Sequence, residues 1–479
     1  MTFRRIACVL VVIALVAAGL SVESKILIRK ESARRVRAFY KEESNFDVLF
    51  LGNSHVMNGI VPLELWNDYG LASYNMGMSG GRLSTSYWSL MAALQYTEPK
   101  LVVLDCAYMG NKKKYHRTLV QRLFDAMPMS PVKLQAAFDL FEDRLEVFEK
   151  VLFPFARYHS RWYEVNKKDF FPSYPNLMGY SLKAGAVQVK RPQALMAESP
   201  KPVKSVNMDY LDRIIEECKA RDIQLLLTYI PFREGESDQN EAGYLGVVAR
   251  ERGLDYLTPT ELEEAIDWNT DFANGDNKNN SHLNCCGAKK LTRFFGQYIA
   301  DHYNLPDHRS DDRYAHWNGY YRDSLDYEDQ ALREADRWKQ ALSLLGNERY
   351  SLVVAVNDPS LWSNGILAAQ MNNVGLGTDA VKDAPALYMA GKSETALRFE
   401  PSELTDQGVA TSLGQLGRMP VQAETGSGYA VTLEGETLFT VSADAPDGLQ
   451  IAVLDRESGA LVHSFGVKKK RGKLLLADD

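Results

Sequence analysis

The chain alternates short, continuously apolar runs with segments whose apolar residues recur at helical spacing. The runs "DVLFL" (47–51), "PKLVVLD" (99–105) and "IQLLLT" (223–228) are too short for helices and are typical of strands covered on both faces. "MDYLDRIIEECKARD" (208–222) and "GYLGVVARERG" (243–253) show the helical period. Strands separated by helices predict a parallel sheet between two layers of helices, an α/β/α three-layer fold.

The pattern changes near residue 348. From there, short apolar runs such as "YSLVVAVND" and "LQIAVLD" are separated by the turn residues Asp, Pro and Gly, which predicts a separate β-rich domain. The sequence therefore predicts this organisation: an N-terminal apolar segment (1–24), a charged helix (25–45), the α/β domain (46–310) with an aromatic, partly helical insertion (112–200), a linker (311–347) with one helix from Asp326 to Leu345, and the β-rich domain (348–479).

The N-terminus carries a compartment signal. "MTFRR" is followed by the apolar run "IACVLVVIALVAAGLSV", the pattern of a signal anchor or of a secretory leader. The run is at the low end of the ~17 to 25 residues that a membrane-spanning helix needs. We predict a transmembrane anchor with the body outside the cytoplasm, and a secreted protein if the leader is cleaved. The basic residues between 25 and 37 are predicted to lie along an anionic membrane surface.

Composition narrows the class of protein further. A chain of 479 residues suggests two or three domains, and a net charge of -7 gives no reason to expect nucleic acid as a partner. The five cysteines have no CxxC spacing, which argues against structural zinc. No metal or organic cofactor is expected.

Candidate chemistry lies where predicted strands end. The strand 48–51 stops on Gly52-Asn53-Ser54-His55, which places Ser54 at the carboxyl edge of the sheet, where reacting groups collect. Ser54 is either a nucleophile or a turn residue. His282, in the polar loop "NNSHLN" before the last helix of the α/β domain, is either its general base or a helix-capping residue. Gly80 in "NMGMSGG" is either an oxyanion donor, together with the amide of Ser54, or part of a plain turn.

These segments resemble the blocks of a known superfamily. Gly52-Asn53-Ser54-His55, Gly80 and the "SHLN..GAKKLT" segment around His282 are similar to the first, second and last blocks of the SGNH, or GDSL-like, esterases and acyltransferases. The resemblance is strongest to membrane-anchored extracytoplasmic members, such as alginate O-acetylation proteins and the teichoic acid D-alanyl transfer protein. It implies a flavodoxin-like sheet over residues 46–310, a serine nucleophile, and a multi-spanning membrane acyltransferase as partner if the enzyme is a transferase.

The sequence departs from that family in two places. The third block normally ends in an asparagine that donates to the oxyanion, whereas this strand continues "LVVLDCAYMGN", where only Tyr108 or Asn111 could substitute. The last block normally has an aspartate three residues before the histidine, and that position is Asn279. Three alternatives stay open: Asp276 completes a triad, Ser54 and His282 act as a dyad, or the site has lost activity.

The remaining candidate residues belong to substrate binding. Besides Tyr108, the candidates are Asn53 and His55, which lie beside the predicted nucleophile. The segment "RYHSRW" adds Arg157, His159 and Arg161, and these three residues either bind substrate or form a structural cluster. Asp105 is a catalytic acid or a sheet-edge polar residue. The sequence thus predicts an extracytoplasmic enzyme that transfers or removes an O-acyl group, acetyl above all, on a cell-surface polysaccharide. The alternative is a non-catalytic glycan-binding or assembly protein on a decayed SGNH fold.

Overall fold

The computed structural model of the chain divides into two compact units. The first comprises residues 1–181, 194–264 and 292–323, and the second comprises 182–193, 265–291 and 324–479. The residues described are 3–28, 30–116, 119–147, 151, 158–170, 174–233, 235–274, 281–379, 381, 386–391, 396–399, 409–410, 417–419, 428–433, 436–442 and 448–477.

The first unit is built on a five-stranded parallel sheet. Its strands are β1 (Val48–Leu51), β2 (Ser73–Asn75), β3 (Leu101–Asp105), β4 (Gln224–Thr228) and β5 (Asp255–Leu257), in the order β2-β1-β3-β4-β5. Every residue of β1 and β3 is buried, as their continuous apolar runs predict. Because β1 lies between β2 and β3, its carboxyl end is flanked by the ends of two further strands. The predicted α/β class is confirmed.

Helices connect these strands and cover the sheet. The helices of the first unit are Phe3–Leu27, Lys30–Arg37, Ser54–Gly59, Pro62–Tyr69, Leu83–Ala93, Gln121–Ala126, Pro131–Leu140, Arg144–Val147, Lys167–Phe170, Val206–Ala220, Glu236–Arg252 and Pro259–Leu262. Short 3₁₀ turns are Phe39–Lys41, His159–Glu164, Glu263–Ala265 and Asp312–Tyr314. Val206–Ala220 shows why such segments form helices: Tyr210, Leu211 and Ile214 bury one face, and the Ser205 side chain caps the first turn.

The second unit is rich in antiparallel strands. A small ribbon pairs β6 (Phe272–Asn274) with β7 (Ser281–Leu283). The strands from β8 to β17 are, in chain order, Tyr350–Val356, Ala386–Gly391, Leu397–Phe399, Val409–Ala410, Gly417–Met419, Gly428–Leu433, Glu436–Ser442, Leu449–Asp455, Leu461–Lys470 and Lys473–Ala477. The main sheet has the order β10-β9-β8-β15-β16-β17. The predicted C-terminal β-rich part is confirmed.

Helices also contribute to the second unit. Trp338–Leu344 and Gly365–Asn372 belong to it, as does the 3₁₀ turn Pro359–Ser363. Helix Cys285–His302 begins in this unit and its residues from 292 onward belong to the first, whereas Trp317–Arg333 begins in the first unit and ends in the second. The apolar core of the unit surrounds β8, in which every residue is buried.

The structure differs from the sequence predictions in several helices. The single helix expected from Asp326 to Leu345 is two helices, Trp317–Arg333 and Trp338–Leu344. The charged helix expected over 25–45 is shorter, Lys30–Arg37, followed by a 3₁₀ turn. The N-terminal apolar segment is helical, Phe3–Leu27; within the described part of the chain, no helix is both long and apolar enough to cross a membrane.

Candidate active site

The candidate site begins at the turn that follows β1. Gly52 has a φ of +154°, and a Cβ there would lie 2.7 Å from Val56 Cγ2 and 2.9 Å from Asp105 Cβ, so the position requires glycine. Asn53 then caps the helix Ser54–Gly59, because its Oδ1 accepts a hydrogen bond from the His55 amide at 2.7 Å. Ser54 is the first residue of this helix and is half-buried, so it keeps some access to solvent.

The turn after β2 packs directly on the turn after β1. Met78 N–H donates to the Gly52 carbonyl at 3.1 Å, and a Cβ on Gly81 would lie 2.7 Å from that same oxygen. Gly81 N–H donates to Met78 O at 2.8 Å, which closes a four-residue turn whose third residue is Gly80. Gly80 has a φ of +67°, the conformation that a type II turn requires at this position. The first two sequence motifs are therefore in backbone contact.

Asn75 fixes the position of the Ser54 helix. This residue, at the end of β2, is fully buried, and its Nδ2 donates to the carbonyls of Val56 and Ile60 at 2.7 and 2.8 Å. Its Oδ1 accepts from Gly77 N–H at 3.0 Å. One side chain thus satisfies two carbonyls at the end of the helix and one amide of the neighbouring turn. Sequence reasoning missed this role; a polar residue at the end of a buried strand is the signal that could have found it.

Asp105, at the end of β3, is buried and holds groups from both neighbouring strands. Its Oδ2 accepts from Asn53 Nδ2 at 3.0 Å, and its Oδ1 accepts from the Ile230 amide at 2.9 Å, just beyond β4. Burial raises the pKa of the Asp105 carboxyl to about 7, although the hydrogen bonds that it accepts act in the opposite direction. These contacts are those of a carboxylate that positions the Asn53 turn.

A layer of rings lies beside His55. The His55 ring is 3% exposed and stacks on Phe232 at 4.3 Å between centroids, with Tyr108 at 5.8 Å. Tyr108 adopts a φ of +67°, and the Arg82 guanidinium lies 5.1 Å from the centre of its ring. Burial raises the pKa of Tyr108 to about 12, which keeps its hydroxyl protonated and able to donate a hydrogen bond. Sequence reasoning did not identify Phe232 or Arg82.

His282 belongs to the second unit and lies in a strand instead of the polar loop that the sequence predicted. It is 4% exposed and pairs with Ala273 across the β6–β7 ribbon. Asn284, two residues later, caps the following helix by accepting from Gly287 N–H at 3.0 Å and donates to the Thr270 carbonyl at 2.7 Å. The helix-capping role considered for His282 is therefore filled by Asn284. The role of His282 as general base stays a prediction.

The other predicted site residues have varied environments. The Arg161 guanidinium donates to the Leu27 carbonyl and lies 3.2 Å from Glu164 and 3.6 Å from Asp169, so it joins three segments of the first unit. His159 is exposed. Asn111 Oδ1 accepts from Lys113 N–H at 3.0 Å within a turn. Three predicted residues, Arg157, Asp276 and Asn279, lie outside the described residues.

Comparisons with known proteins give little further information. No family model matches the sequence, and no curated protein matches it. Among solved structures, the chain is similar to one described as a "putative acylhydrolase" from Bacteroides fragilis NCTC 9343, with 12% sequence identity and a TM-score of 0.29, over 57% of this chain and 97% of that chain. A similarity this low carries no weight for the function.

Proposed function

We propose that this protein is a serine-dependent acyltransferase or esterase that acts on O-acyl groups, acetyl above all, of a cell-surface polysaccharide. One observation carries the proposal: the turn that begins with Gly52 and leads to Ser54 is in backbone contact with the turn that carries Gly80. A serine hydroxyl and backbone amides on adjoining turns, at the carboxyl edge of a parallel sheet, are the parts that acyl transfer needs.

In the proposed reaction, Ser54 Oγ attacks the acyl carbon while His282 accepts the hydroxyl proton. The amides of Ser54 and Gly80 donate to the oxyanion of the tetrahedral intermediate, and each such donor is worth roughly 3 to 4 kcal/mol. Collapse of the intermediate releases the alcohol, which takes the proton from His282, and leaves an acyl-serine. Water then completes an esterase cycle, whereas a sugar hydroxyl completes a transferase cycle.

The substrate and the location are supported by sequence alone. Two arginines before an apolar run, Arg4 and Arg5, favour insertion of the N-terminus with the body outside the cytoplasm. The resemblance to anchored extracytoplasmic SGNH proteins favours a polysaccharide acceptor and, for a transferase, a multi-spanning partner that supplies the acyl group. Protease treatment of intact cells should digest the body; a body that is protected until the cells are lysed would contradict this location.

A fluorophosphonate probe tests the nucleophile. It phosphonylates a serine only where a base and oxyanion donors activate the hydroxyl. We expect the full chain to be labelled at Ser54 and Ser54→Ala to remain unlabelled. Ser130→Ala is the matched control, because Ser130 is also a half-buried serine at the start of a helix, where its Oγ accepts from Lys133 N–H at 3.2 Å. If the wild-type chain is not labelled, a non-catalytic glycan-binding role becomes the better proposal.

A further inference from the structure

The hairpin between the last two strands has an unusual charge. Its tip carries five cations within six residues, namely Lys468, Lys469, Lys470, Arg471 and Lys473, in a chain whose net charge is -7. Arg471 and Gly472 form the two-residue turn, and both have positive φ, 51° and 76°, as a type I′ hairpin requires. A short, tightly connected hairpin therefore holds these cations together.

The tip extends beyond the neighbouring strand of its sheet. Val467 is the last residue of β16 that pairs with β15, whereas β16 continues to pair with β17 as far as Lys470. Lys469, Lys470, Arg471 and Lys473 are exposed, and within the described part of the chain none of these four forms an ion pair. These four cations are thus exposed to solvent, without a counter-ion among the described residues.

The pleat places three of these cations on one face. Lys470 lies directly opposite Lys473, and Lys468 lies two residues before Lys470 on the same side. Directly opposed side chains have Cβ atoms about 5 Å apart, and residues two apart on a strand are separated by roughly 7 Å. Like charges at these distances repel each other, so the arrangement opposes formation of the hairpin and is suited to an anionic partner.

We propose that this cationic hairpin binds an anionic polysaccharide. The choice of a polysaccharide rests on the proposed function, while the charge requirement rests on the hairpin itself. Nucleic acid fits less well, because the hairpin from Gly466 to Ala477 has no aromatic residue on which bases could stack. Leu475, on the same hairpin, is an exposed apolar side chain, so binding to an anionic lipid surface is measured separately in the test.

The test measures binding in the Ser54→Ala background, so that no turnover is needed and failure of the catalytic proposal leaves the result unaffected. The probes are polygalacturonate, neutral dextran, and vesicles of phosphatidylserine and phosphatidylcholine. Isothermal titration should detect polygalacturonate binding that weakens as the salt concentration rises, because binding releases counterions from the polysaccharide into solution. Dextran should not bind.

A charge-matched pair of variants assigns the binding to the hairpin. Lys469→Gln/Lys470→Gln/Lys473→Gln should weaken polygalacturonate binding at least about tenfold and flatten its salt dependence. Lys112→Gln/Lys113→Gln/Lys201→Gln removes the same charge from exposed lysines elsewhere and should change binding less than about twofold. Equal losses in both variants, no loss in the hairpin variant, no binding to polygalacturonate, or binding to the vesicles alone would each overturn the proposal.

Discussion

Asn53 and Asp105, which are far apart in sequence, are joined by a 3.0 Å hydrogen bond from Asn53 Nδ2 to Asp105 Oδ2. Asn53 also accepts from the His55 amide, so its side chain connects the end of β3 to the first turn of the Ser54 helix. The direction in which Ser54 points therefore depends on a buried carboxyl that lies outside the turn itself. Asp105 is better described as a positioning residue than as the catalytic acid that the sequence left open.

Asp105 should give the stability of the protein a measurable pH dependence. Burial raises the pKa of Asp105 from its ordinary value of 3.8 to about 7. Between these values the folded state holds a proton that the unfolded state has lost, so the free energy of unfolding falls as pH rises and levels off above about 7. The slope from this one group is at most about 1.4 kcal/mol per pH unit.

Chemical denaturation from pH 4 to 8 checks this expectation. Asp105→Asn, which has no proton to lose, should remove that contribution, and the wild-type and variant curves should run parallel above pH 7. Asp307→Asn is the control: the neighbouring Arg309 holds the pKa of Asp307 below its usual range, so its contribution is lost only as pH falls below about 4. An Asp105→Asn variant with an unchanged slope between pH 5 and 7 would contradict the assignment.

Gly52→Ala should destabilise the protein more than replacement of a glycine in open space. The new methyl group would lie within 3 Å of both Val56 and Asp105, so the Ser54 helix or β3 must shift, and such overpacking typically costs about 1 to 3 kcal/mol. Gly253→Ala is the control. Gly253 has a φ of +65° but nothing within 4 Å of its Cβ position, so only the backbone term of roughly 1 kcal/mol applies.

Denaturant midpoints and fluorophosphonate labelling report on this pair. We expect Gly52→Ala to lose labelling of Ser54 while still folding, because the displaced turn carries the nucleophile. Gly253→Ala should keep full labelling. Equal stabilities of the two variants would show that the turn after β1 can relax, and the steric argument would then fail.

The sequence allowed the sheet and the serine turn to be predicted, because both depend on local patterns. Apolar runs such as 101–104 are long enough for a strand and too short for a helix, and a glycine followed by polar residues marks where the strand stops. The contact between Asn53 and Asp105 could not be predicted in the same way. It depends on the register in which Leu51 pairs with Leu104, and a single sequence does not reveal that register.

The misplaced elements have similar physical causes. The ribbon containing His282 has strands of three residues, too short for an alternating pattern to appear, so the segment was interpreted as a loop. The helix Trp317–Arg333 has a clear helical period, but it begins in a polar, aromatic stretch of low overall hydrophobicity, which was interpreted as a linker. Arg35 was predicted to face a membrane, because a sequence does not show which cations will find acceptors within the protein.

Arg35 should instead be a major attachment of the N-terminal segment to the sheet. Its Nη2 donates to the Gly77 carbonyl at 2.6 Å, and its Nη1 donates to the carbonyls of Asn75, at 3.3 Å, and Gly179. Hydrogen bonds from a charged group are each worth about 1.5 to 3 kcal/mol, so we expect Arg35→Ala to lower the free energy of unfolding by at least about 2 kcal/mol. Arg35→Lys should recover only part of this, since an ammonium group lacks the planar fork.

Arg34→Ala is the control for Arg35. The Arg34 guanidinium lies 5.7 Å from the centre of the Tyr174 ring, a contact worth roughly 0.5 to 1 kcal/mol. Limited proteolysis near residue 30 and urea denaturation provide the two measurements. If Arg35→Ala is no less stable than Arg34→Ala, the three carbonyls are satisfied by water and the attachment lies elsewhere.

The group that orients His282 decides between the three alternatives left open by the sequence. An orienting carboxylate stabilises the imidazolium that forms as a serine attacks, and its loss from a triad costs on the order of 10⁴ in turnover. If Asp276 fills this role, Asp276→Ala should lose nearly as much esterase activity on a small acetyl ester as Ser54→Ala, and Asn279→Ala far less.

A dyad gives the opposite pattern for the same variants. Asp276→Ala would then be nearly silent, and Asn279→Asp should raise the rate, because it supplies a carboxylate three residues before the histidine, where the SGNH enzymes that the sequence resembles normally have one. The pH profile of turnover is the second readout: a carboxylate beside the ring raises the pKa of the histidine, so Asn279→Asp should move the acidic limb of the profile to higher pH. A wild-type chain as inactive as Ser54→Ala would exclude both arrangements and leave glycan binding as the function to test.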